Sequence, residues 1–148
     1  MPSGIFAVRL CDWDAACDEA RPIRESVFVR EQGVPLELEL DEWDACSDHA
    51  LAYAADGRAV GTGRLLPDGH IGRMAVLMDW RGRGAGAALL KELMDLARRR
   101  GHRRARLNAQ TSATGFYRRY GFETVGIEFM DAGIAHIAMQ CQLKPGPS

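Results

Sequence analysis

The residues best suited to chemistry are Arg81-Gly82-Arg83-Gly84-Ala85-Gly86, which lie between an apolar strand-like run and a long amphipathic run. Three glycines let the backbone come close to a ligand and leave several N–H groups pointing outward. A helix opening at the same place adds about half a positive charge. Arg81 and Arg83 add whole ones. Together these are the chemistry of a pyrophosphate site.

Other phosphate patterns compete. Gly82-x-Gly84-x-x-Ala87 fits the dinucleotide fingerprint loosely, but that arrangement needs an acidic residue about 20 positions on to hold a ribose. The following strand, Arg104-Ala105-Arg106-Leu107-Asn108-Ala109, offers none. A P-loop is excluded because no Gly-Lys-Ser/Thr closes the run. A tight strand-to-helix turn that binds nothing is the plain alternative, and the two flanking arginines argue against it.

The elements that must position this loop are readable from periodicity. Residues 6–10 alternate as a strand. Arg21-Pro22-Ile23 opens a helix through Val27, Phe28 and as far as Glu31, with Pro22 in its first turn. Residues 36–48 form an acidic loop or short helix. Strands at 49–55, 58–66 and 70–78 are joined at Asp56-Gly57 and Asp68-Gly69. The third of them is apolar enough to be buried on both faces. A helix over 85–100 buries Leu89, Leu90, Leu93, Met94 and Ala97, and Gly101 ends it. Residues 104–109 form a strand and 112–120 a short helix. Phe122–Phe129 and Ile134–Leu143 make a last hairpin around Asp131-Ala132-Gly133. The tail from Lys144 to Ser148 is expected to fray. The order β-α-β-β-β-α-β-α-β-β predicts an α/β (α+β) fold with a mixed, mostly antiparallel sheet flanked by helices.

A two-residue loop at Asp68-Gly69 would pair Pro67 with His70 and set Arg64 opposite Arg73. Like charges so placed need answering anions. Glu31, Asp41 and Asp44 are the expected supply, in an ion-pair cluster that orders residues 36–48. The competing reading is that the two arginines hold an acceptor's carboxylate.

The chain has 148 residues, 47% hydrophobic and 26% charged, which suits one domain spanning 1–148 and excludes disordered and fibrous classes. No apolar run reaches the ~18 residues of a membrane span. Met1–Ile5 lacks a basic and then apolar leader, so a cytoplasmic location is expected. Cys11, Cys17, Cys46 and Cys141 make no zinc-ligand spacing and read as small buried hydrophobes; no metal is expected. The net charge of −1 conceals −9 over residues 1–57 and +8 over 58–148. One face could therefore attract a phosphorylated ligand and the other, through the acidic run 36–48, a cationic amine. Six arginines between Arg98 and Arg106 raise nucleic acid as a partner. No aromatics interleave with them and the chain as a whole is not basic, so no nucleic-acid partner is expected.

Arg81-x-x-Gly84-x-Gly86 after a strand resembles the signature of the GNAT N-acetyltransferases, and Phe116-Tyr117-Arg118-Arg119-Tyr120-Gly121-Phe122 resembles their late tyrosine element. Arg24-x-x-Val27-Phe28-x-x-Glu31-Gln32-x-x-Pro35, then Asp41, Asp44, Gln110 and Gly133-Ile134-x-His136-Ile137-x-Met139, is similar to the ElaA-type subgroup. The resemblance covers nearly the whole chain.

It implies an acetyl-CoA-dependent N-acetyltransferase acting by direct transfer in a ternary complex. The strand before the glycine loop would present the backbone of Met74, Ala75 and Val76 to the pantetheine arm, with the Val76 N–H as oxyanion donor. The amides from Arg81 through Gly82, Arg83, Gly84 and Ala85 to Gly86 would hold the pyrophosphate. Tyr117 would return a proton to the thiolate; its plain alternative is a packed aromatic. Gln110 stands where many members carry a shorter Asn facing the cofactor. Base candidates are Glu31, Asp41, Asp44, His49 and His136, with Glu31 and His136 foremost. The alternatives are an ion pair of Glu31 with Arg64 or Arg73, and a hydrogen-bonded sheet histidine. The acceptor would be a small-molecule or peptide amine, and a homodimer is among the assemblies common in the family. The rival from another class is an acyl-CoA-binding regulatory module without catalysis.

Overall fold

The computed structural model describes residues 5–144; Met1–Gly4 and the Pro145–Ser148 part of the tail lie outside them. Strand β1 (Ala7–Cys11) leads into α1 (Trp13–Arg24), which runs on as a π-helical turn, Glu25–Glu31. The short α2 (Leu36–Glu39) and a 3-10 turn (Glu42–Cys46) precede β2 (Asp48–Tyr53), β3 (Ala59–Leu65) and β4 (Ile71–Val76). Then come α3 (Ala85–Arg99), β5 (Arg104–Gln110), α4 (Thr114–Arg118), β6 (Glu123–Asp131) and β7 (Ile134–Gln142). Apart from α2, this is the expected order.

Helix α1 begins eight residues before the predicted start. The Asp12 side chain accepts from the Ala15 N–H at 3.0 Å and caps it. Ala16, Ala20, Ile23 and Val27 then repeat at helical spacing and are all buried. Pro22 therefore sits inside the helix rather than in its first turn. Aspartate is a favoured N-cap type, so the sequence carries this start signal ahead of Pro22.

The strands form two sheets, β1-β2-β3-β4 and β5-β7-β6, antiparallel throughout. A single parallel bridge, His70 to Arg106, joins them at one end of β4 and β5. Beyond it the two strands part. Helix α3 covers one face of both sheets, with Leu89, Leu90 and Leu93 fully buried against Ala50, Leu65, Leu107 and Met139. On the other face Ile23 and Val27 of α1 and its π-helical continuation pack on Ala75.

The β3–β4 hairpin departs from the expected register. Leu66 N–H donates to the His70 carbonyl at 2.8 Å and Gly69 N–H to the Leu66 carbonyl at 3.0 Å, so the loop is Pro67-Asp68-Gly69. Gly69 takes φ +94, which a three-residue loop requires and an L side chain resists. Arg64 consequently pairs with Gly72, not Arg73. A β-bulge follows: Arg73 adopts φ +49, and from Ala75, opposite Thr62, the register shifts by one. Nor is β4 buried on both faces. Gly72, Arg73, Met74 and Val76 are half-buried, because the far edge of the strand opens where β5 diverges.

Candidate active site

A cleft of about 540 Å³ fills the gap between β4 and β5. Its walls include Met74, Ala75, Val76, Arg81, Gly86, Gln110, Tyr117 and His136, so eight predicted site residues meet in one cavity. Gly82, Arg83, Gly84 and Ala85 are not among the lining residues; the first three form the turn after Arg81, and Ala85 opens α3. Gly82 and Gly84 take φ +75 and +100. A side chain at Gly82 would meet nothing within 4 Å, which leaves that turn open to a ligand. Arg83 lies over the Trp80 ring at 5.0 Å.

The β4 edge has a definite polarity. Leu77 N–H donates to the Val60 carbonyl at 2.9 Å, and Val76 faces Gly61 one position back. Alternation along an antiparallel ladder turns the Val76 N–H and carbonyl away from β3 and into the cleft. Arg81 Nε donates to that carbonyl at 2.9 Å, and Arg81 NH2 reaches Glu31 Oε1 at 2.8 Å. Glu31 is thus ion-paired with Arg81, not with Arg64 or Arg73 as expected, and it does not line the cleft.

Tyr117 is held by aromatic packing, with ring centroids 5.1 Å from Phe116 and 5.9 Å from Phe122. Burial pushes its phenol up to about 12, so the hydroxyl remains protonated. His136 stands on β7 opposite Gln110 of β5. Its Nδ1 lies 2.7 Å from the Ile134 carbonyl. A carbonyl only accepts, so Nδ1 carries the proton and neutral His136 keeps its lone pair on Nε2. Gln110 Nε2 donates to Gln32 Oε1 at 2.9 Å, spanning the cleft from β5 to the end of the π-helical turn. A smaller pocket of about 90 Å³ adjoins the cleft and shares Phe28, Gln32, Arg73, Gln110 and His136 with it; Asp131 and Ile134 also line it.

The acidic run is consumed internally. Buried Arg24 pairs with Glu39 and grips Asp44 at 2.8 and 3.0 Å. Arg64 binds Asp41 at 2.6 and 2.8 Å and Asp44 at 2.9 Å. Arg73 reaches Asp41 at 3.1 Å and the Leu38 and Glu39 carbonyls at 3.2 Å. Three guanidinium groups answer three carboxylates. Glu31 is outside this cluster; Arg24 and Glu39, unforeseen, are inside it. Burial raises the Asp44 carboxyl, but hydrogen bonds and charge from Arg24 and Arg64 outweigh it and hold it below the usual range. Asp41, Asp44 and the buried His49 are thereby structural, not candidate bases.

Gln32, Asn108 and Phe28 also line the cleft. Phe28 and Gln32 belong to the Arg24–Pro35 pattern, which carried no site role for either; Asn108 has no signal beyond its alternation with Gln110. Of the cysteines, Cys141 is buried, Cys11 and Cys17 are half-buried and Cys46 is exposed, against the expectation of burial. Among the described residues no group of three His, Cys, Asp or Glu could hold a metal. No helix among them is long and apolar enough to cross a membrane.

Residues 20–143 match the family model described as "Acetyltransferase (GNAT) domain". The chain belongs to the GNAT acetyltransferase family. It is 40% identical over 121 residues to "Uncharacterized N-acetyltransferase YjcF" of Bacillus subtilis (strain 168), covering 79% of this chain and 86% of that protein. It superposes on an acyl-CoA N-acyltransferase from Pseudomonas aeruginosa with a TM-score of 0.82 at 28% identity, covering 92% of this chain and 99% of that one. Escherichia coli ElaA shares the fold, with a TM-score of 0.82 at 23% identity over 93% of this chain and 100% of that chain.

As a GNAT protein the chain is an acyltransferase, and its donor is an acyl-CoA. The cleft suits such a donor: a strand edge with outward backbone groups leads to a glycine turn whose open face a side chain would otherwise occupy.

Proposed function

We propose that the chain is a single-domain N-acetyltransferase that moves an acetyl group from acetyl-CoA to a primary amine by direct transfer in a ternary complex. The observation that carries this is the meeting of Val76, Tyr117 and His136 in one cleft. Acetyl-CoA supplies the acetyl group as an activated thioester. The amides between Arg81 and Gly86, at the N-terminus of a 15-residue helix, hold its phosphates. Met74, Ala75 and Val76 present their backbone to the pantetheine arm, and the Val76 N–H faces the thioester carbonyl as an oxyanion donor.

His136 Nε2 takes the proton that the acceptor ammonium must lose before its nitrogen attacks. Tyr117 donates its phenolic proton to the departing thiolate. Glu31 acts through Arg81, steadying the side chain that crosses from the glycine turn to Val76. Gln110, through Gln32, fixes the width of the cleft where donor and acceptor meet.

Steady-state assays of thiol release with a panel of amines test the reading. Amine-dependent release by the wild-type protein supports it. Tight CoA binding with no transfer to any amine would instead support a regulatory acyl-CoA-binding module.

A further inference from the structure

The cleft that receives the acceptor has no aspartate or glutamate among its lining residues. Arg64, Arg73 and Arg81 border it, each paired with a carboxylate outside that lining. The acidic segment that might have drawn a cation is already neutralised by Arg24, Arg64 and Arg73. In the adjoining pocket Glu39 is bound to Arg24, and Asp131 is the one other carboxylate, with no ion pair among the described residues.

Positive charge continues out of the cleft along β5. Ala105, Leu107 and Ala109 face the core, while Arg104, Arg106 and Asn108 are exposed on the opposite face. Gln110 follows on that face by alternation and lines both cavities. Across β7 its neighbours are Gln142, Gln140, Ala138 and His136. Glu123, beyond Gln140, is the single carboxylate in these rows. Neither Arg104 nor Arg106 makes an ion pair with any described residue. Across the cleft from this ladder, Arg64 of β3 lies almost wholly buried, and its Nε has no hydrogen-bond partner. The missing side chain of Gly72 would stand 3.9 Å from it.

We propose that the acceptor is an acidic peptide segment, its amine seated between His136 and Asp131 and its carboxylates carried along β5 by Arg106 and Arg104. This rests on the amine-acceptor reading above. Gln110 and Arg104 stand six positions apart, about 20 Å along a strand. A free amino acid or a small amine cannot span that length, whereas an extended peptide of about six residues can. Asp131 meets the ammonium, and the guanidinium groups meet charges of the opposite sign further along.

The test uses the full chain loaded with CoA and three hexapeptides with free N-termini: two alanines followed by four glutamates, four glutamines or four lysines. Fluorescence anisotropy should show the glutamate peptide binding at least tenfold more tightly than the glutamine peptide, with the advantage shrinking as salt rises. In the double variant Arg104→Gln/Arg106→Gln that advantage should fall to within twofold, with CoA affinity and melting temperature unchanged. Equal binding of the glutamate and glutamine peptides, a preference for the lysine peptide, or an advantage that survives the double substitution would each overturn the proposal. Peptide binding is read without turnover, so an absence of acetyl transfer would count against the proposed function and leave this inference to its own result.

Discussion

Asp44 Oδ1 is shared between Arg24 of α1 and Arg64 of β3, at 2.8 and 2.9 Å. One buried carboxylate therefore ties the first helix, the acidic segment and the central sheet together. Removing it leaves two buried guanidinium groups under-compensated. Asp44→Ala should cost about 3–5 kcal/mol of stability, the usual range for breaking a buried ion pair from one side. Chemical denaturation checks this; a loss within experimental error would show that the cluster does not hold the fold.

Arg73 anchors the segment differently, through the carbonyls of Leu38 and Glu39 as well as Asp41. Arg73→Met should lower stability by about 1.5–3 kcal/mol, the range for hydrogen bonds to charged groups. It should also speed proteolysis within residues 36–47 in the absence of any acceptor. An unchanged melting temperature together with unchanged cleavage would assign Arg73 to the acceptor alone.

The same cluster predicts the acid limb of stability. Asp41 and Asp44 titrate lower in the folded chain than unfolded, so their contribution is complete above about pH 4 and is lost as pH falls through the folded values. Burial also depresses His49, which donates to the Asp44 carbonyl across 2.9 Å. The unfolded chain therefore takes up that proton first, and stability begins to fall below about pH 6.5. Melting temperatures from pH 8 to 3 should show two stages of loss, and His49→Gln should flatten the first.

In the proposed chemistry, Tyr117→Phe removes one oxygen and little packing. It should lower kcat roughly 10²-fold while leaving CoA affinity nearly intact. His136→Gln should lower kcat by a comparable factor while leaving CoA affinity nearly intact. Glu31→Gln should change the affinity for CoA more than kcat, because Glu31 meets Arg81 and not the cleft. A larger kcat loss for Glu31→Gln than for His136→Gln would reverse the two roles.

Gly86 separates fold from ligand. A Cβ there would meet Phe116 at 3.6 and 3.9 Å, an ordinary contact, and glycine inside a helix costs about 1 kcal/mol relative to alanine. Gly86→Ala should therefore stabilise the protein slightly. Gly86→Val should weaken CoA binding at least tenfold, about 1.4 kcal/mol. Gly84 makes a poorer test, since its φ of +100 strains any replacement. Calorimetry showing unchanged CoA affinity for Gly86→Val would place the phosphates elsewhere.

The glycine loop, α3 and the strand order were legible because each rests on local signals: turn residues, apolar spacing and a helix stop. Neither the Arg24–Glu39 pair nor the Arg81–Glu31 pair was, since no local pattern says which of six acidic side chains a buried arginine will meet. The hairpin register failed for a subtler reason. Asp68-Gly69 marks a turn equally well in a two-residue or a three-residue loop, and only the Leu66–His70 hydrogen bond distinguishes them.

The extra residue in β4 also acts as a parity switch. Gly72 and Arg73 both face the ion cluster, while Met74 and Val76 return to the α3 side, where they meet Gly63 and Gly61. In an unbroken strand, odd and even positions would keep their sides, and Arg73 would follow Ile71 into the apolar core. Deleting one residue at the bulge would shorten the chain by less than 1% of its 148 residues. It would take the bulge away with the residue: Met74 and Val76 would stay on the α3 side, Val76 would stay opposite Gly61, and β4 would turn one residue fewer toward the carboxylates. The bulge thus lets one strand set two consecutive residues against the ion cluster without moving those that face the cleft.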